Sequence, residues 1–364
     1  MKRKVNSEYL KPLLETPLYW ALLAYGALRR DPAIRNKRIL LVNPCTIGDF
    51  VSTLPSIHDF IFRHPEYHVD LVVSPPLVPL AHYVRGVKTI FTATSSIGRM
   101  SETGVHRRPS GAYERVVLMR ASSDLFSLLG GITFGSFSTA VRPYSRYTGH
   151  VAWSIMRGKT PRRWMEHNFD VLGGTFRHIP FRELFDIPFV EYERVRALPQ
   201  LEGQEQKIVI HTGVSWVMNR WGRSNWVALL RLLNAAGTFR FVFVGGLSEE
   251  DEYHAIAQEL PFPTYSLIGE DLVTVLLALH MSDYFVGTDS GPRNMAHLVD
   301  TPSVVLLGPA PHMWTPPNPR DIVLDKSGGR YVSERLVQKR RALIDTITPE
   351  EVSAAFAALR ARVE

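Results

Sequence analysis

A single cysteine, Cys45, stands among 364 residues. One thiol excludes an internal disulfide framework and makes a reducing compartment the simplest home. Cys45 has no Cys or His at a matched spacing and reads as a small buried filler, not as a nucleophile. Long apolar runs are also missing. The unbroken run Leu18 to Leu28 has eleven residues, against the roughly 20 that a membrane-spanning helix needs. No small-residue cleavage site follows it, which speaks against a signal peptide. No Asp-x-Asp triplet occurs anywhere in the chain, so the simplest signature of a metal-bridged diphosphate is absent. Basic residues are not interleaved with aromatics along a clear face beyond the N-terminus, which disfavours nucleic-acid binding.

What is present is a globular composition, with 45% hydrophobic and 21% charged residues, in a chain long enough for two domains of ordinary size. The net charge of +7 is concentrated at the start: Met1 to Arg38 holds nine Lys/Arg against Glu8, Glu15 and Asp31. Basic clusters flanking Leu18 to Leu28, with Tyr19, Trp20 and Tyr25 inside the run, leave two readings. One is a helix lying in the headgroup region of an anionic membrane. The other is a helix packed on the first domain that touches membrane only transiently.

From Arg38 to Asn43 the apolar run Ile-Leu-Leu-Val is typical of a buried parallel strand. A loop, Pro44 to Gly48, leads into an amphipathic helix from Asp49 to Arg63, with Phe50, Leu54, Ile57 and Ile61 on one side. Further strands are expected at Val69–Val73, Val87–Phe91 and Arg115–Met119. Residues 120–180 are irregular, with paired glycines and the bases Arg142, Arg146, Arg157, Lys159, Arg162 and Arg163. They read either as solvated helices and loops or as a basic wall facing an anionic substrate. The polar segment Glu191 to Lys207 is the best linker candidate.

A second alternating series follows. Strands are expected at Lys207–His211, Phe239–Val244, Tyr284–Gly287 and Ser303–Leu307, and helices at Ser224–Ala236, Ser248–Leu260, Asp271–Met281 and Pro292–Val299. Ser248 with Asp251 resembles a capping box, and Thr348 with Glu351 makes one for a final helix ending near Leu359. Two such α/β halves imply parallel sheets with ligands beyond the carboxyl ends of their strands.

The most informative segment is Gly287-Thr-Asp-Ser-Gly-Pro-Arg293. A strand delivers Asp289 to its end, Ser290 can cap the next helix, Gly291 lets backbone approach a ligand, and Pro292 suits the first turn. Amides at such a helix start favour a phosphate or diphosphate without a metal. The same heptapeptide also reads as an ordinary well-capped turn.

Three segments together resemble glycosyltransferase family 9, the ADP-heptose:lipopolysaccharide heptosyltransferases. The first is Ile39 to Pro55, containing Thr46-Ile-Gly48-Asp49. The second is His211-Thr-Gly-Val-Ser-Trp-Val-Met-Asn-Arg-Trp221 followed by Trp226. The third is Val286 to Pro292, running on to Gly308-Pro309. After Ser-Gly-Pro many relatives have a hydrophobic residue and then His, whereas Arg293 and Asn294 stand here and the histidine arrives as His297. Pro44, Cys45 and Thr46 occupy places where Arg/Ser-rich residues are common, and residues 1–37 precede the usual family start.

The resemblance implies a glycosyltransferase-B fold, with two Rossmann-like domains facing across a cleft. The expected division is a basic and apolar helical extension over 1–37, an acceptor domain over 38–195, a nucleotide-sugar domain over 196–347, and a last segment, 348–364, returning to the first domain. It implies inverting, metal-independent transfer of heptose from ADP-heptose to a lipopolysaccharide-core or related surface glycan, with no cofactor. Another nucleotide sugar or acceptor, or a nucleotide-sugar-binding protein without turnover, is the alternative.

An acceptor hydroxyl needs a carboxylate to take its proton. Asp49 is the candidate base, placed by Gly48; its other reading is a helix cap. Arg220 can meet the departing diphosphate, aided by the Ser290 to Arg293 amides; its other reading is stacking on Trp221. Thr212, Gly213, Asp289, Ser290, Gly291, Pro292 and Arg293 form the expected donor site. Thr46, Gly48 and Arg120 form the expected acceptor side, Arg120 by its match to a basic family position near an acidic acceptor. His211 is expected to pack the loop without moving protons. The expected partners are a nucleotide-sugar donor and an anionic glycolipid or glycan acceptor. The expected setting is cytoplasmic, with peripheral contact on the inner face of the cytoplasmic membrane.

Overall fold

The apolar runs form two parallel sheets, as continuous Val/Ile/Leu strands buried on both faces should. A computed structural model describes residues 31–92, 112–119, 137–141, 163–213, 219–308, 318–326 and 344–364. The chain divides into two compact units. The first takes in Met1–Thr46, Pro55–Thr160 and Glu166–Phe176; the second takes in Ile47–Leu54, Pro161–Met165 and Arg177–Glu364.

In the first unit the strands are β1 (Arg38–Asn43), β2 (His68–Val73), β3 (Val87–Thr92), β4 (Tyr113–Leu118) and β5 (Phe137–Val141), in the order β3-β2-β1-β4-β5. All pairings are parallel, with Leu41 opposite Leu71 on one side and Arg115 opposite Ile39 on the other. The chain runs outward from β1 to β3, then returns to the opposite side of β1. The carboxyl end of β1 is therefore a topological switch point, where such sheets bind ligands.

Helix α1 spans Ile47–Arg63, two residues earlier than the sequence pattern predicts. Its cap is Thr46, with no side-chain cap bond, and Asp49 is the third residue inside the helix. The reading of Asp49 as a cap is therefore incorrect: Thr46, not Asp49, has the extended backbone of a cap position. Pro55 lies within α1 at the division between units. Helix α2 is Trp164–Val171.

Glu191 to Lys207 is largely ordered structure and not the linker expected from its polarity. Helix α3 covers Phe189–Arg196 and a short 3-10 turn covers Pro199–Leu201, with Val195 and Leu201 buried. The second unit's sheet contains β6 (Gln206–His211), β7 (Phe239–Gly245), β8 (Tyr265–Ile268), β9 (Tyr284–Thr288), β10 (Ser303–Leu307) and β11 (Asp321–Asp325). Its order is β11-β10-β9-β6-β7-β8, all parallel. The switch point lies between β6 and β9.

Four helices connect these strands or close the second unit's core. Helix α4 is Arg223–Ala236, α5 is Glu250–Gln258, α6 is Leu272–His280 and α7 is Gly291–Leu298. The expected Ser248 capping box is not formed. A 3-10 turn over Leu247–Glu249 precedes α5, and the α5 cap, Glu249, makes no side-chain cap bond. Asp271 instead caps α6 by accepting from Val273 N and Thr274 N.

The last helix, α8 (Pro349–Val363), has the expected Thr348/Glu351 capping box. Its buried face packs within the second unit. Phe356 packs on Phe239 and Tyr284, and Val352, Phe356 and Leu359 join the core beneath α4. Burying that apolar face against a ready hydrophobic sheet is favourable by about 1.5–3 kcal/mol per large side chain. Trp221 and Trp226 meet edge to face at 4.8 Å in the same core, and Trp221 Nε1 donates to Ile347 O.

Candidate functional site

Three strands of the second sheet end at one place. Strand β6 ends in His211, followed by Thr212 and Gly213; β7 leads to Glu249; and β9 leads through Asp289 to Ser290. Thr288 Oγ1 donates to Gly213 O at 2.7 Å and binds two of these ends together. His211 Nδ1 lies 3.0 Å from Ser290 Oγ, and its Nε2 lies 3.4 Å from Glu249 Oε2. A Cβ on Gly213 or Gly245 would overlap the Glu249 carboxylate, so both glycines are needed for the close approach. Thr212, only 7% exposed, lies beside this chain.

Ser290 is the cap of α7, as its place in the heptapeptide implies, and accepts from Arg293 N at 3.5 Å. The donor amides are fewer than the sequence suggests. Pro292 has no N–H, Arg293 N is directed to Ser290 Oγ, and Asn294 N bonds Ser290 O. Among the described residues no hydrogen bond takes up the Ser290 and Gly291 N–H groups, the kind of donor a helix end offers an anion.

The Arg293 side chain leaves the site. Its guanidinium is fully buried, with Nη2 2.6 Å from Asp321 Oδ2 and Nη1 3.4 Å from Asn294 Oδ1. Burial pushes Arg293 below its ordinary value, opposed by Asp321 and Asp289. Burial raises Asp321 to about 6, with Arg293 opposing that rise. Arg293 thus belongs to the expected donor set only through its backbone. Behind it, His297 is lowered to about 3, first by burial and then by Arg293, His178 and Arg163. Its Nδ1 is buried without a hydrogen-bond partner.

Arg220 is 55% exposed and pairs with Glu252 at 3.3 Å. It does not stack at the surface on Trp221, because that ring is completely buried and held by Trp226 and Ile347. Residues 214–218, between Gly213 and Arg220, lie outside the described residues, as does Arg120.

The first turn of α1 belongs to this second unit and meets the start of α7. A Cβ on Gly291 would lie 3.1 Å from Ile47 Cβ and 3.6 Å from Gly48 N, while one on Gly48 would lie 2.7 Å from Asn294 Nδ2. Gly48, one residue before half-buried Asp49, therefore abuts Gly291. Thr46 is exposed, and Cys45 is buried with Sγ donating to Asn43 Oδ1 at 2.9 Å. The sequence reading did not assign Glu249, Asn294 or Asp321 to this region, and gave His211 only a packing role.

Two parallel sheets with strand-end sites define a two-unit α/β fold. Residues 166–335 match the glycosyltransferase family 9 (heptosyltransferase) model, which indicates a glycosyltransferase. The matched region contains the whole second sheet and leaves Ile39 to Pro55 outside. No curated protein sequence matches the chain.

Among solved structures, the chain resembles an E. coli ADP-heptose lps heptosyltransferase II, with 18% identity, 89% of this chain and 99% of that chain covered, and a TM-score of 0.65. It resembles E. coli heptosyltransferase WaaC with ADP-2-deoxy-2-fluoro heptose at 15% identity, over 88% and 99% of the two chains, with a TM-score of 0.64. It also resembles the dodecameric iron-containing heptosyltransferase TibC in complex with ADP-D-beta-D-heptose, from enterotoxigenic E. coli, at 14% identity, over 91% and 78%, with a TM-score of 0.56. These likenesses bear out the two-sheet fold. Among the described residues no helix is long and apolar enough to cross a membrane.

Proposed function

We propose that this glycosyltransferase moves heptose from ADP-heptose to a hydroxyl of a lipopolysaccharide-core or related surface-glycan acceptor, with inversion and without a metal. The observation carrying this reading is the meeting of Gly48 with Gly291, which puts the candidate base and the anion-binding amides in one neighbourhood. The acceptor oxygen attacks the anomeric carbon as Asp49 takes its proton. The bond to the diphosphate breaks, and the departing negative charge is met by the Ser290 and Gly291 amides and by Arg220, which must share or leave Glu252. Asp289 positions nucleotide or sugar, Thr212 and Gly213 line the donor side, and Thr46, Gly48 and Arg120 line the acceptor side. Peripheral contact with the inner membrane would bring the enzyme to a glycolipid acceptor.

Metal-independent transfer is favoured by the lack of any Asp-x-Asp triplet and by these cationic and amide alternatives. TibC is described as iron-containing, so the test includes iron. Turnover of ADP-heptose should survive EDTA and gain nothing from added magnesium, manganese or iron. ADP should raise the melting temperature more than UDP or GDP, as a ligand binding the folded state must. Equal shifts for all three would remove the adenine assignment, and a strict metal requirement would remove the metal-free route.

A second reading, transfer from another nucleotide sugar or to another acceptor, is favoured by Arg293. Its guanidinium faces Asp321, so its side chain gives the diphosphate no charge. A nucleotide-sugar-binding protein without turnover would show the ADP shift but no product.

A further inference from the structure

Resting on the donor-site reading above, we infer that Glu249, His211 and Ser290 form a proton-linked chain by which diphosphate binding draws a proton onto His211. His211 is 4% exposed and links strand ends that are far apart in sequence. Its Nε2 lies 3.4 Å from Glu249 Oε2, a buried oxygen that makes no hydrogen bond as placed, so the negative charge there favours a hydrogen on Nε2. Nδ1 then accepts from the Ser290 hydroxyl at 3.0 Å, while Ser290 Oγ accepts from Arg293 N. In this state the Ser290 hydrogen points at histidine and away from any anion.

Adding one proton from solvent to Nδ1 reverses that bond. Nδ1–H then donates to Ser290 Oγ, whose hydrogen is released to donate to a phosphate oxygen beside the Ser290 and Gly291 amides. A charged donor system also binds an anion more strongly than a neutral one. No covalent bond changes, and the proton taken from solvent is the only one gained.

Glu249, from the turn after β7, is the carboxylate facing the ring among the described residues; Asp289 lies one residue before Ser290. A second observation points to a ligand at this strand end. The Thr212 hydroxyl, on a residue 7% exposed, makes no hydrogen bond among the described residues. That is a group a ligand oxygen would satisfy. His211 is thus a positioning residue: it sets the direction of the Ser290 hydroxyl.

The test is calorimetric titration of ADP into the full chain at one pH in buffers of different ionisation enthalpy, which reads the protons taken up per ADP bound. The wild type should take up more protons than His211→Gln, by as much as one per site. His211→Gln should still bind ADP, several-fold more weakly. Ser290→Ala, which removes the hydroxyl that the proton redirects, should lose the same uptake and carries the test if His211→Gln does not fold. Protonation of ADP itself is common to all variants and cancels in the difference. Equal uptake in wild type and both variants would overturn the inference and leave the donor reading standing. If ADP does not bind, pyrophosphate replaces it. His211-dependent uptake with pyrophosphate would sustain the inference while removing the adenine assignment, and no binding of either would remove both.

Discussion

In the turn after β9, Asp289 precedes the helix, Ser290 caps it, and Pro292 and the Ser290 side chain leave few amides unused. In the turn after β1 the order is inverted: Thr46 occupies the cap without a side-chain cap bond, and the aspartate is the third residue of α1. The first turn is closed by its own side-chain cap bond, whereas the second has none. An acid preceding a capped helix can position a ligand at the helix end. An acid within the first turn sits in the favourable field of the helix start. The two turns meet through Gly48 and Gly291, and the proposed function assigns binding to one and proton transfer to the other.

The largest effect that tests this division concerns the base. Asp49→Asn keeps nearly the same volume and should leave folding and ADP affinity close to unchanged, while turnover falls about 10²–10⁴-fold. Asp289→Asn should weaken donor binding as well. Near wild-type turnover in Asp49→Asn, under conditions where chemistry limits the rate, would return Asp49 to an ordinary first-turn acid.

Next in size is the buried pair behind α7. Asp321→Asn leaves the Arg293 guanidinium buried without its 2.6 Å counter-ion. Removing one partner of such a pair costs about 3–5 kcal/mol, whereas replacing both by apolar side chains of similar volume is often neutral. Urea unfolding should therefore show a large loss in Asp321→Asn and a much smaller one in Arg293→Met with Asp321→Leu. Equal losses would mean that the pair itself, not the unpaired charge, supports the α7 turn.

His297 adds a pH dependence. Its folded value is lowered to about 3 against an ordinary 6.5, so its contribution to stability is present above pH 6.5 and is lost as pH falls towards 3. Asp321, raised to about 6 from 3.8, acts oppositely: its contribution is present below 3.8 and is lost as pH rises through 6. Melting temperatures should fall between pH 6.5 and 4.5, and His297→Leu should flatten that fall. An identical slope in the variant would place the acid sensitivity elsewhere.

Much of the fold could be read because buried parallel strands are nearly continuous apolar runs, and β1, β6, β9 and β10 stand close to where those runs do. The α7 cap and the α8 capping box were legible because their signals are local. Helix α3 was not: Glu191, Glu193, Arg194 and Arg196 give a solvated helix the composition of a linker, and buried Val195 is too sparse a signal to distinguish them. Glu249 and His211 escaped for a different reason. They meet through strand order, and no spacing in sequence encodes that β6 lies between β7 and β9. The Arg293 amide was visible as part of the helix start. Its side chain was not, because the partner, Asp321, comes from β11, two strands away from β9.

The smallest expected effect compares the two caps directly. Ser290→Ala removes a side-chain oxygen that accepts Arg293 N and bonds His211 Nδ1, so it should cost about 0.5–2 kcal/mol. Thr46→Ala removes no cap bond from an exposed position and should stay within about 0.5 kcal/mol. Denaturant midpoints at matched slopes would measure both. The difference should persist at high salt, because it arises from short-range hydrogen bonds and not from screened surface charge. Adding ADP should widen the gap, since Ser290→Ala also loses a proposed ligand contact and is stabilised less. Equal losses in the two variants would mean that the turn after β1 is capped as firmly as the turn after β9. Any difference in role between the two turns would then have to come from the residues facing each turn and not from the turns themselves.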